Sequence, residues 1–140
     1  MTNNVLILIS SLSWLAAQLI KSLGYRLKYK TWDYKKLIES GGMPSSHCAF
    51  VCSLTYGLAC KYGINSDFFS IALAFTLVVM YDAMGVRNEA GKHAKIINDM
   101  QKEMQMSEEI HLKESLGHRP LEVLSGAALG IGISAIAQLV

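Results

Sequence analysis

The sequence predicts an all-α integral membrane protein with four transmembrane helices and an amphipathic helical insertion before the last of them. Three observations lead there. The chain is 51% hydrophobic and only 17% charged, against about 25% charged residues in an ordinary soluble domain. The missing charge is concentrated: Met1–Ile20 contains no Asp, Glu, Lys or Arg, and Leu121–Val140 contains only Glu122. Twelve of the 13 Lys and Arg residues crowd into two polar connections. A length of 140 residues suits one domain, residues 1–140.

The first span is expected over about 5–23; it lacks a basic start and an obvious small-residue cleavage site, so it reads as a retained helix. The second, about 46–62, and the third, about 68–84, are shorter but still near the length that crosses a bilayer. The turn between them, Lys61–Asp67, is short, which predicts an antiparallel hairpin, with Ser66 or Asp67 capping the third helix. The fourth span is expected over about 121–140. Its Gly126 and Gly130 form a small-xxx-small pair, which lets another helix approach closely.

The two connections, roughly Lys21–Met43 and Asp82–Pro120, lie on one side of a four-span protein, and their basic residues place that side in the cytoplasm. Both termini then face outward. Within the second connection, Ile96, Ile97, Met100 and Met104 recur at helical spacing among charges. This predicts an amphipathic helix over Ala94–Leu116, lying on the membrane or packing on a partner. Cys48, Cys52 and Cys60 share one apolar segment, and an odd count there argues for packing residues over a disulfide framework. The net charge of +2 gives no sign of a nucleic-acid partner.

Chemistry-bearing residues cluster on the side of the two connections. Lys21, Arg26 and Lys28 are expected just past the first span, where basic residues also serve simply to anchor a helix. Gln18, one turn earlier, is a polar group late in an apolar span. In Gly41-Gly42-Met43-Pro44-Ser45-Ser46-His47 two hydroxyls and an imidazole stand where an apolar helix starts, with Pro44 suited to its first turn. Exposed N–H groups and the positive end of the helix dipole favour an anion there. A well-capped helix with an incidental histidine is the plainer alternative. Asp82 and Arg87 follow the third span, and Arg87 offers a planar fork suited to a phosphoryl group or a topology-setting charge. His118 and Glu122 are four apart and share a helix face, so the carboxylate can hold one ring nitrogen and leave the other free. Capping by Glu122 is the competing explanation.

These residues resemble the type-2 phosphatidic acid phosphatase superfamily, which includes vanadium haloperoxidases. That superfamily carries Lys-x6-Arg-Pro, then Pro-Ser-Gly-His, then Ser-Arg-x5-His-x3-Asp. Pro44-Ser45-Ser46-His47 is similar to the second signature, and Gly117–Gly130, GHRPLEVLSGAALG, is similar to the end of the third. GGMPSSH, the GVR after Asp82–Met84 and LGHRPLEV are most similar to a divergent branch described as acid phosphatase/vanadium-dependent haloperoxidase-related. There are departures. Lys28 and Tyr29 stand where Arg-Pro is usual, Ser46 replaces Gly, and Glu122 replaces Asp. Leu112 occupies the arginine position six before His118, so Arg87 serves only if residues 88–116 are an insertion. Arg87-x5-His93 offers a competing alignment, with Ile97 at the carboxylate position.

The resemblance implies the four-helix catalytic core of these phosphatases. It further implies a metal-independent phosphatase, without a cofactor, acting on a lipid-linked phosphate monoester or diphosphate. Lys21, Lys28, Ser45, Ser46 and Arg87 would hold the phosphoryl oxygens. His118 would become a phosphohistidine, Glu122 would orient it, and His47 would serve as acid and then base. The runner-up is a non-catalytic membrane binding or assembly protein on the same fold. Vanadate-dependent halide oxidation and transport are weaker readings. The lateral surface of so small a bundle, with the amphipathic segment, suggests a homodimer in the bilayer, in a bacterial plasma membrane.

Overall fold

The computed structural model describes residues 4–30, 42–105, 110–114 and 117–139. It is all-helical, with no strand among the described residues. Five helices follow one another: α1 (Val5–Tyr29), α2 (Ser46–Tyr62), α3 (Asp67–Met84), α4 (Val86–Glu103) and α5 (Pro120–Leu139). Stretches in α1, α3 and α5 are long and apolar enough to cross a membrane. Large apolar side chains such as Leu8, Leu12, Phe75, Val78, Leu124 and Ile136 are exposed on them, as expected where the surrounding solvent is lipid.

The inside of the bundle is small and hydroxylated. Ser10, Ser13, Ser45, Ser46, Ser53 and Ser134 are almost fully buried. The α1 serines satisfy themselves on their own helix: Ser10 and Ser13 donate to the carbonyls of Leu6 and Ile9 at 2.8 and 3.0 Å. Ser13 also reaches Ser53 of α2 at 3.1 Å. The hydroxyls of Thr55 and Thr76 lie 2.8 Å apart, joining α2 to α3. In lipid, where apolar contact alone gives little association energy, such bonds and close packing hold helices together.

At 17 residues α2 is the shortest of the described helices, and it runs antiparallel to α1. Gly42, just before α2, lies near Lys21, Ser53 meets Ser13, and Gly57 packs near Leu6. It runs parallel to α5: a Cβ on Gly126 would collide with the Ser45 carbonyl, and one on Gly130 with that of Ala49. The two glycines are therefore the seam between α2 and α5, and the partner of the small-xxx-small pair is a helix of the same chain. Ser66 caps α3 by accepting from the Phe69 N–H at 3.2 Å.

Three boundaries differ from expectation. Helix α1 continues to Tyr29, so Lys21 and Arg26 sit on the helix and not past it; Lys and Arg are good helix formers and carry it beyond the apolar stretch. The amphipathic helix starts at Val86 and ends at Glu103, earlier than the expected 94–116. Only Gly85 separates it from α3. Pro44 lies outside α2, one residue before the cap Ser45, in a cis Met43–Pro44 peptide. The cysteines are free: Cys48 and Cys52 are buried, whereas Cys60 is exposed.

Candidate active site

The ends of all five helices meet at one end of the bundle. Ser45 caps α2, its hydroxyl accepting from the Cys48 N–H at 3.4 Å. Its own N–H donates to the Glu122 carbonyl at 2.9 Å, which locks the start of α2 to the first turn of α5. Beneath this joint Cys48, Ala83 and Val123 form the apolar core, with Met80 and Met84 against it.

A second joint ties α5 to α3 and α4. The His118 N–H donates to the Ala83 carbonyl at 2.9 Å, near the end of α3. Gly117, at φ +87°, lies directly on the backbone of Arg87 and Asn88; a Cβ there would stand 2.8 Å from the Arg87 carbonyl carbon. Only glycine meets both demands. Gly117→Ala is therefore expected to push His118 out of register. It should destabilise the protein by about 1–3 kcal/mol, measured as a lowered unfolding midpoint in detergent.

His118 is buried, and its Nδ1 lies 2.9 Å from Glu122 Oε2. The same carboxylate oxygen accepts from the Arg119 N–H at 3.3 Å. With Pro120 as the first residue of α5, Glu122 is at the position that reaches back to the cap, half of a capping box. Capping and orienting are thus one contact set, and the two explanations of Glu122 do not compete. With Nδ1 engaged, Nε2 is the ring nitrogen left for chemistry.

Other charged groups gather around. His47, exposed in the first turn of α2, lies within electrostatic reach of Arg87, His118 and Lys21. Half-buried Lys21 runs its aliphatic stem along Gly42, whose added Cβ would stand 3.4 Å from Lys21 Cδ. Arg87 is half-exposed and donates through Nε to Asp82 Oδ2 at 2.6 Å; its terminal nitrogens carry further donors. The N-termini of α2, α4 and α5 also meet here, each carrying about half a positive charge. The combination is a cationic end of the bundle with one buried, carboxylate-held imidazole.

Of the expected site residues, Lys21, Ser45, Ser46, His47, Arg87, His118 and Glu122 fall at this end of the bundle. Ser45 and Ser46 are buried, and both the hydroxyl and the N–H of Ser45 are engaged, in the α2 cap and in the bond to the Glu122 carbonyl. The Lys28 side chain and Gly41 lie outside the described residues. His93 is exposed two turns into α4, away from any helix start. Among the described residues no group of three or more His, Cys, Asp or Glu side chains is placed to hold a metal ion. Gln18 is buried with its carbonyl oxygen lacking a hydrogen-bond partner among the described residues.

Two residues of this region carry no sequence signal. Asn98 of α4 donates to the Leu112 carbonyl at 2.8 Å and accepts from the Leu112 N–H at 2.9 Å. One turn on, Gln101 accepts from the Ile110 N–H at 3.0 Å and donates to its carbonyl at 3.4 Å. The two amides act like a strand edge, holding alternate residues of the extended segment 110–114 against α4.

Fold and site together define an all-helical integral membrane protein with a histidine-centred cationic site where its helix ends converge. Comparison with known sequences places it more narrowly: the chain belongs to the Divergent PAP2 family, whose sequence model matches residues 2–133. It is 36% identical over 139 residues to the uncharacterized membrane protein YuiD of Bacillus subtilis (strain 168), covering 89% of this chain and 88% of that protein. No solved structure matches the chain.

Proposed function

We propose that this protein is a membrane-embedded, metal-independent phosphatase that hydrolyses a lipid-linked phosphate monoester or diphosphate through a phosphohistidine. The observation that carries the reading is the buried His118 held at Nδ1 by Glu122, 2.9 Å away, within a group of cationic side chains and helix N-termini. His118 Nε2 attacks phosphorus, the bond from phosphorus to the leaving oxygen breaks, and His47 gives that oxygen a proton. Water then attacks the phosphoryl group as His47 takes its proton, and the N–P electron pair returns to His118. Glu122 stabilises the charge on the imidazole through both steps. Lys21, Arg87 and the Ser46 N–H hold the phosphoryl oxygens, with Lys28 two turns further along α1. The basic connections favour the cytoplasmic face of a bacterial plasma membrane for this site.

A second reading, a non-catalytic binding or assembly protein on this fold, is favoured by two observations. Leu112 stands where an arginine precedes the nucleophile, with its backbone held by Asn98, and Arg87 is already paired with Asp82.

Purified protein screened for phosphate release over lipid monophosphates and diphosphates decides between them. Turnover is expected from the wild type. The His47→Ala variant should lose roughly 10²–10⁴-fold, since both formation and breakdown of the phosphohistidine use that imidazole. Phosphate or vanadate binding without release from any lipid phosphate would overturn the hydrolase reading and favour the second.

A further inference from the structure

We infer that α4 is an interfacial helix, lying in the membrane plane with one apolar face in lipid, and that it holds the segment bearing His118 at head-group depth. Helix α4 begins one residue after α3 ends, and α3 carries a membrane-crossing stretch. Its first turn is therefore at the membrane boundary by construction.

At about 100° per residue, α4 has three faces. Gly91, Ala94 and Asn98 are buried on one, against the protein. Val86, Ile97, Met100 and Met104 lie on a second and are all exposed, with His93 among them and Glu89 at its edge in the first turns, so the face is most apolar over its second half. Lys95, Asp99 and Lys102 lie on a third, also exposed. The buried face is already occupied, so the apolar stripe faces something else. It continues the exposed apolar surface of α3, where Val78 and Tyr81 are bare. A helix with separate apolar and charged faces at the end of a spanning helix fits the boundary between acyl chains and water. The bilayer is the occupant that this continuity selects.

The position of α4 passes to the site at two points. Gly117 rests on the backbone of Arg87 and Asn88 in its first turn, and the Asn98 and Gln101 amides hold residues 110–112. His118 follows Glu114 by only four residues. Resting on the phosphatase reading above, this coupling gives the lipid-linked substrate class proposed there a structural cause: the site is held at the level where a membrane-borne phosphate is presented, and not a freely soluble ester.

The test uses the full chain in phosphatidylcholine–phosphatidylglycerol vesicles. In a Cys60→Ser background, single cysteines are introduced as Ile97→Cys, Met100→Cys, Lys95→Cys and Asp99→Cys and labelled with a nitroxide. The unsubstituted background controls for labelling of buried Cys48 and Cys52. Collision with oxygen is expected to dominate at 97 and 100, and collision with a water-soluble nickel chelate at 95 and 99, with ratios differing several-fold. Equal access to the nickel chelate at all four positions overturns the inference. So does spin–spin broadening at 97 and 100, which would assign the face to a second copy. A second arm compares Met100→Glu with wild type on a vesicle-borne lipid phosphate and on a short-chain soluble phosphate ester. A selective loss of about tenfold or more on the vesicle substrate is expected, and equal loss on both overturns the assigned substrate class. If wild type hydrolyses neither, the phosphatase reading and the substrate class fall with it, while the nitroxide result still decides the placement of α4.

Discussion

His118→Ala is expected to abolish phosphate release, with turnover falling at least about 10³-fold while the protein remains inserted and folded. Among the described residues the imidazole alone is buried, held by a carboxylate and placed at a helix start, so no described neighbour is expected to replace it as nucleophile. Because His118 is also packed, an inactive variant needs a partner experiment that leaves packing alone. Glu122→Gln supplies it. Glutamine is as well suited as glutamate to reach back to the helix cap, so the α5 start should be unchanged. It removes the negative charge opposite Nδ1, and with it the stabilisation of a charged imidazole. Turnover should fall by roughly 10²–10⁴-fold, with the unfolding midpoint close to wild type. Full phosphatase activity in purified His118→Ala would eliminate the proposed mechanism outright.

The largest effect on stability is expected from Gly130→Val. The Ala49 carbonyl occupies the space that any β-carbon at residue 130 would fill, and Ala49 Cα would stand 2.9 Å from it. Backbone atoms cannot rotate away, so α2 and α5 must part. Parting them also loosens the bond from the Ser45 N–H to the Glu122 carbonyl. A loss of about 3 kcal/mol is expected, read as a lowered unfolding midpoint in detergent together with lost activity. Gly132→Val is the matched control. It lies on the same helix, but nothing stands within 4 Å of its β-position, and its midpoint should stay near wild type. Similar losses from both substitutions would show that the effect comes from glycine in a helix and not from the α2–α5 seam.

Much of this architecture was legible because lipid simplifies the code. A bilayer demands long uncharged runs, so α1, α3 and α5 announce themselves. Gly126 and Gly130 signal close approach whatever the partner is. The spacing of His118 and Glu122 marks them as partners, but the expected shared helix face is not how they meet: α5 starts at Pro120, so His118 lies before the helix and Glu122 reaches back to it across the cap. What was not legible depends on contacts between distant segments. Nothing in the sequence marks Asn98 or Gln101, because an amide on an amphipathic helix looks like any solvated side chain. Only the return of residues 110–114 gives them backbone groups to pair with. The early start of α4 was hidden for a related reason. Its first two turns, Val86–Lys92, carry one large apolar residue, since their buried side is made by Gly91 and by the backbone under Gly117. The approach of two distant segments is hidden in the same way: Arg87 and His118 are 31 positions apart in sequence, yet Gly117 rests on the Arg87 backbone.

The brevity of α2 shapes the membrane around the protein. Seventeen residues of helix rise about 26 Å, a few ångströms less than an average hydrocarbon layer of about 30 Å. Its flanks are covered by α1, α3 and α5, so the mismatch is taken up at its ends. At the end capped by Ser45 that shortfall asks the surrounding bilayer to thin toward the helix start, or the flanking polar side chains to reach outward, for the cap to meet water.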